Sequence, residues 1–240
     1  MARVVTAASN PRLKLVRRLE SGAQRRRLGL FAVEGEDLVA AALAAGLEPV
    51  EALVDAGRPA LSDRLPDATL VEPKLLSELS TLPHPPRTIA VFRRDDLPSG
   101  TDRPVGLALW RVRDPGNLGT LLRAADALGP AFVALSEGCA DPTGPKALRA
   151  AMGATFRVPL ARFDQAAGPR IALTMDAPTL LWDADLPDRA VFVLGSEREG
   201  LPVDFAADLE VSIPMSPAAE SLNVAMAGTV ALYEWRRRRA

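Results

Sequence analysis

Ala190-Val191-Phe192-Val193-Leu194-Gly195-Ser196-Glu197-Arg198-Glu199-Gly200-Leu201 (residues 190–201) is an unbroken apolar run that stops at a glycine-flanked polar loop. A strand wet on one face alternates apolar and polar residues, whereas a run apolar at every position suits a parallel strand covered on both faces. Parallel strands need long crossovers, so such a run predicts alternating strands and helices around it. Residues 105–110, 131–135, 171–175 and 209–213 read as further strands, and 118–128, 145–152 and 222–237 as helices. The expected class for this part of the chain is α/β with a parallel sheet.

Upstream the same alternation recurs in a smaller unit. Asn10-Pro11 is a helix start, with Asn as the cap and Pro at the first helical position, followed by Leu13, Val16 and Leu19 on one side and basic residues on the other. Strands are predicted at 30–33, 50–54, 69–71 and 88–92, with a helix over 37–45 stopped by Gly46 and short segments at 61–65 and 74–79. The polar, breaker-rich stretch Asp95-Asp96-Leu97-Pro98-Ser99-Gly100-Thr101-Asp102-Arg103-Pro104 then separates the two. The organisation expected is an α/β unit over 1–94, a linker over 95–104 and a second α/β unit over 105–240.

Composition narrows the function classes. Among 240 residues, 48% are hydrophobic, enough for a core, and no apolar run reaches the roughly 18–20 residues of a membrane span. The start, Met1 to Lys14, lacks a signal-like apolar stretch, and a cytoplasmic protein is expected. One cysteine, Cys139, leaves no intrachain disulfide and no cysteine-built metal site, and one histidine, His84, gives a His-based metal site or triad almost nothing to work with. Cys139 reads as an ordinary thiol, His84 as a loop residue, and Trp110, Trp182 and Trp235 as packing residues. Net charge is −1, yet the first 27 residues carry Arg3, Arg12, Lys14, Arg17, Arg18, Arg25, Arg26 and Arg27 against Glu20 alone, and the chain closes on Arg236-Arg237-Arg238-Arg239. Either cluster is a solvated helix face or a phosphate-binding surface.

Three stretches at strand ends carry the chemistry. In Asp114-Pro115-Gly116-Asn117-Leu118-Gly119-Thr120-Leu121-Leu122-Arg123 a tight turn feeds a helix starting near Leu118, whose stripe of Leu118, Leu121, Leu122, Ala125 and Leu128 leaves Arg123 outside it, free to point across the strand ends. The Gly195–Gly200 loop is neither a P-loop nor a dinucleotide fingerprint, and a plain strand-to-helix turn accounts for it as well as a ligand does. In Ile213-Pro214-Met215-Ser216-Pro217-Ala218-Ala219-Glu220-Ser221-Leu222-Asn223-Val224, Ser221 is expected to cap the last helix, with Asn223 in its first turn beside anion-attracting N–H groups.

Taken together and in this order, Asn117-x-Gly119-x-x-x-Arg123, Gly195-x-Glu197-x-x-Gly200-Leu201 and Ile213-Pro214-Met215 with Ser221-Leu222-Asn223-Val224 resemble the three signature motifs of the SpoU/TrmH family of RNA ribose 2′-O-methyltransferases, in the SPOUT superfamily. The stretch 145–154 resembles that family's middle helix. Asn10-Pro11 with Lys14, Arg25–Arg27 and Phe31-Ala32-Val33-Glu34-Gly35 resembles its small ribosomal-protein-like substrate-binding domain. The resemblance implies a deep trefoil knot in the C-terminal domain, a homodimer, and S-adenosylmethionine held by Leu194, Gly195, Ile213, Met215 and Leu222. It implies Arg123 as the catalytic arginine, working near the partner's cofactor, with Asn117, Ser221 and Asn223 orienting ribose, phosphate and arginine, and Glu197 fixing its loop. A 2′-hydroxyl target implies RNA, ribosomal ahead of transfer RNA, with no metal and no membrane. Pro217 stands where many relatives have glycine, and Ala151 and Ala225 where serine is frequent. A non-catalytic RNA-binding or ribosome-assembly factor on the same fold, and a different nucleotide-binding α/β enzyme, are the alternatives.

Overall fold

In a computed structural model, residues 4–65, 67–81, 84–196, 198–216, 218–219 and 221–239 are described. The chain divides into one unit of Met1–Leu97 with Thr143–Arg149 and another of Pro98–Pro142 with Ala150–Ala240.

In the first unit, strands β1 (Leu30–Glu34), β2 (Glu51–Asp55), β3 (Thr69–Val71) and β4 (Thr88–Arg93) form a sheet of order β1-β4-β2-β3. The β1–β4 and β2–β4 pairs are antiparallel, and β2–β3 is parallel. Helices α1 (Pro11–Leu19) and α4 (Pro73–Leu79) bury Leu13, Val16, Leu19, Leu75, Leu76 and Leu79 against Leu53, Val71, Ile89 and Val91 of the sheet. The side chain of Asn10 accepts from Arg12 N at 2.9 Å and Pro11 opens the helix, as the sequence predicts. A second short helix, α2 (Gly22–Leu28), has too few apolar positions to be read from periodicity. It is docked from its own side: Arg25, 5% exposed, donates from Nη1 to the carbonyls of Leu19 and Glu20 at 2.8 and 2.9 Å. Arg25 therefore caps the C-terminal end of α1 and is withdrawn from the basic surface. Lys14, Arg18, Arg26 and Arg27 stay exposed, without an ion-pair partner among the described residues. Helix α3 (Glu36–Ala44) lies against β1 and β4, and Gly46 (φ +85°) turns the chain after it.

The second unit is built on an all-parallel six-stranded sheet of order β10-β8-β9-β5-β6-β7. The strands are β5 (Val105–Leu109), β6 (Ala131–Leu135), β7 (Leu160–Arg162), β8 (Arg170–Leu173), β9 (Ala190–Leu194) and β10 (Leu209–Val211). β5 and β9 lie adjacent at the centre and are buried at every position, which is why their sequences are unbroken apolar runs. The second part of the predicted linker is not a loose tether, since Leu160 N and Gly100 N bond to Pro98 O and Leu160 O beside β7. Helix α5 (Pro115–Leu128) starts three residues earlier than the stripe predicted, because Asp114 caps it and Pro115 opens it. Helix α6 (Pro145–Ala151) follows β6 in the sequence; helix α7 (Val224–Arg237) packs on α5, and Gly228 sets their approach: a Cβ there would lie 2.4 Å from Leu121 Cδ2. Trp235 is buried, whereas Trp182 is 57% exposed and so is not the packing residue expected.

Three of the four terminal arginines, Arg237 to Arg239, are a fastening rather than an open cationic face. Arg237 and Arg238 pair with Glu234, and Arg239 pairs with Asp188 and sits 4.4 Å from the centre of the Trp235 ring. Among the described residues no helix is long and apolar enough to cross a membrane, and no cluster of metal-ligating side chains occurs.

Candidate functional site

Parallel sheets place ligands beyond the carboxyl ends of their strands, and the cavity of about 540 Å³ in the second unit lies there. Its walls are the end of β8 (Leu173 to Asp176), Leu194, Gly195, Ser196, Arg198, Gly200 and Leu201 at the end of β9, Ile213 and Met215 after β10, and Ser221 to Val224 with Ala227 at the start of α7. Leu194, Gly195, Ile213, Met215 and Leu222, the five residues expected to hold a cofactor, all line it.

The loop after β9 closes as a tight turn, with Ser196 N bonding to Gly200 O at 3.0 Å and Gly200 N to Ser196 O at 3.2 Å. The two glycines serve different needs. Gly200 takes φ +65°, while Gly195 leaves room for the returning chain: a Cβ on it would lie 2.2 Å from the Gly200 carbonyl carbon. Glu197, expected to fix this loop, and Pro217 lie outside the described residues.

Asn223 corrects one sequence expectation. The cap of α7 is Asn223, not Ser221: its Oδ1 accepts from Ala225 N at 2.8 Å and Met226 N at 3.3 Å, while Ser221 lies exposed before the helix, on the cavity wall. With Oδ1 so occupied, Nδ2 points outward and donates to Asn117 Oδ1 at 3.0 Å, across 106 residues of sequence. Asn117 N in turn donates to Asp114 Oδ1 at 2.8 Å. The N-termini of α5 and α7 are thereby pinned side by side, and two helix dipoles turn their positive ends the same way. That is a place for an anionic group.

Arg123 is exposed on α5, does not line the cavity, and has no hydrogen-bond or ion-pair partner among the described residues. The structure thus puts Ser221 and Asn223 on the cavity wall, ties Asn117 to Asn223 and leaves Arg123 off the cavity lining. Thr174, Met175 and Arg198 also line the cavity and were missed in the sequence reading. The signal was present, since the apolar run 171–175 ends where a ligand is expected. Thr174 Oγ1 is shielded from the cavity and from solvent and has no hydrogen-bond partner among the described residues. Volume, partly apolar walls and paired helix N-termini fit a ligand with an apolar part and a charged end.

Residues 104–233 match the SpoU rRNA methylase family. This chain belongs to that family. Among relatives of this SpoU methylase, the 23S rRNA (guanosine(2553)-2′-O)-methyltransferase RlmP of Bacillus subtilis is 32% identical over 97% of this chain and 98% of its own. An AdoMet-bound rRNA methyltransferase from Sinorhizobium meliloti superposes with a TM-score of 0.85 at 30% identity, covering 100% of this chain and 99% of that one. The SpoU methyltransferase AviRb from Streptomyces viridochromogenes, in complex with AdoMet, gives 0.81 at 28% identity over 96% and 98%. The α/β fold with its parallel sheet is that of the SPOUT methyltransferases.

Proposed function

We propose that this SpoU methylase transfers a methyl group from S-adenosylmethionine to a ribose 2′-hydroxyl of ribosomal RNA, in the cytoplasm. The observation that carries the reading is the cavity itself, which gathers Leu194, Gly195, Ile213, Met215 and Leu222 on its walls and the Asn117–Asn223 pair at its mouth. S-adenosylmethionine bound there supplies an activated methyl group, so the protein's task is alignment, charge stabilisation and removal of one proton. Backbone groups of Gly195, Ser196 and Gly200 and the apolar walls hold the adenine end, and Arg198 offers a polar partner. Asn223, fixed by its two backbone bonds, aims its amide at Asn117, and the pair orients ribose and phosphate. The sole histidine, His84, belongs to none of the stretches that line the cavity. Arg123 holds the neighbouring phosphate through its planar cationic fork and stabilises developing alkoxide charge.

Because Arg123 stands apart from the cavity of its own chain, the site is completed by a second copy. Met226, Val230 and Tyr233 support a homodimer: they repeat at i, i+4 and i+7 on α7 and are 53%, 39% and 56% exposed. The trefoil knot belongs to the same reading.

The deciding experiment incubates labelled S-adenosylmethionine with ribosomal RNA and, separately, transfer RNA from cells lacking this protein. The expected result is label in ribosomal RNA that survives alkali in a dinucleotide, abolished by Arg123→Ala with cofactor binding retained. Label in neither pool, with cofactor still bound, would instead make the chain a non-catalytic RNA-binding factor.

A further inference from the structure

Residues 174–189, between β8 and β9, contain neither helix nor strand. Connections this long, beyond about 12–15 residues, are uncommon inside a compact unit unless they are disordered or have a task. This one is held at both ends. Near the cavity, Thr174 N donates to Val211 O at 3.0 Å, Ser212 N to Thr179 O at 2.9 Å and Ser212 Oγ to Ala177 O at 2.9 Å. Farther along, the end of α7 takes over. Arg238 donates from Nη1 to Ala184 O at 2.5 Å and from Nη2 to Leu181 O at 3.0 Å and Trp182 O at 2.6 Å, while its Nε is held by Glu234 Oε1 at 2.7 Å. Arg239 Nη2 donates to Leu186 O at 2.9 Å and Trp235 Nε1 to Pro187 O at 3.2 Å.

These contacts form a closed circuit. The cavity wall at residues 173–176 leads into the segment, the segment is tied to the last turn of α7, and the first turn of α7 is the opposite cavity wall. Through it, the end of the chain holds the two walls at a fixed separation. We propose that Arg238, supported by Arg239, is a positioning residue for S-adenosylmethionine binding, acting through the 174–189 segment on the cavity wall at residues 173–176. The inference rests on the reading of the cavity as the cofactor site. The chemistry requires arginine: one guanidinium reaches three carbonyls and a carboxylate at once, and a lysine ammonium cannot span them.

The test is calorimetric titration of S-adenosylmethionine into the full chain, as wild type, Arg238→Ala, Arg238→Lys, Arg239→Ala and Arg157→Ala. Arg157→Ala is the stability control, because it removes a comparable ion pair, with Asp126, that does not touch the segment. Arg238→Ala is expected to weaken binding about tenfold, as couplings of this kind do, with little rescue by lysine and faster amide exchange over 174–188. Arg239→Ala gives a smaller loss in the same direction and carries the test if Arg238→Ala does not fold. Arg157→Ala lowers the melting temperature and leaves the affinity alone. Affinity within about twofold of wild type for Arg238→Ala, or for Arg239→Ala where it stands in, or equal losses in Arg157→Ala, would overturn the proposal. A wild-type chain that binds no S-adenosylmethionine would bring down the cofactor reading instead, a different and recognisable failure.

Discussion

Gly195 meets backbone, not side chain, in the space its Cβ would fill: the Gly200 carbonyl carbon at 2.2 Å and Leu201 N at 2.5 Å. A flexible side chain would swing aside, whereas here the whole 195–200 turn must shift. Gly195→Ala is expected to cost cofactor affinity more than a hundredfold, roughly 3 kcal/mol, with a change in melting temperature of only a few degrees. Titration calorimetry beside thermal melts checks the split, and retained affinity would show that the turn relaxes freely. Asn223 and Arg25 show what is legible at this scale. Both were marked in the sequence by type and position, yet their roles depend on partners 106 and 5 to 6 residues away. Local spacing favoured Ser221 as the cap because serine precedes an apolar helix there; Asn223 won because its carbonyl oxygen reaches two helix N–H groups while its NH2 reaches Asn117.

At the scale of elements, apolar periodicity placed the strands buried on both faces, such as β9 at 190–194 in sequence and structure alike, but missed β7, which is short and not buried at any position. What periodicity cannot reveal is a helix held by one buried arginine, such as α2, or whether a basic run faces water. The two basic clusters make different predictions for that reason. Alanine at Lys14, Arg18, Arg26 and Arg27 together should reduce the slope of log K against log salt for RNA binding by about 3, since each lost phosphate contact removes roughly 0.7–0.9. An unchanged slope would take α1 and α2 out of the RNA interface. At the end of α7, the Arg237 hydrogen bond holds the Glu234 carboxyl down at about 2, against partial burial that pushes it up, with Arg238 adding to the lowering. A depressed carboxyl stabilises the fold above its ordinary pKa, and that contribution is lost as pH falls from about 4.5 towards 2. Thermal melts across this window should fall more steeply for wild type than for Glu234→Gln; parallel curves would remove the Glu234 cluster from the acid response.

For the molecule as a whole, the parallel sheet was legible in the sequence, whereas no local pattern encodes that Thr143–Arg149 groups with the first unit. A prediction at this scale concerns association. With Met226, Val230 and Tyr233 exposed in one stripe, Met226→Glu with Val230→Glu should turn a dimer into a monomer in sedimentation and abolish methyl transfer. A doubly substituted chain that stays dimeric would move the interface elsewhere. The strand order carries one more consequence, for synthesis. β9 is the strand that sits between β5 and β8, so β8 has no path into the β5-β6-β7 sheet until residues 190–194 have been made. A nascent chain stalled before that point exposes β5 as an apolar edge with an empty slot beside it, the kind of edge that pairs with other chains. Cells making this protein should therefore meet their greatest aggregation hazard late in translation, and a holdase that shields β5 until β9 emerges should raise the yield of folded chain.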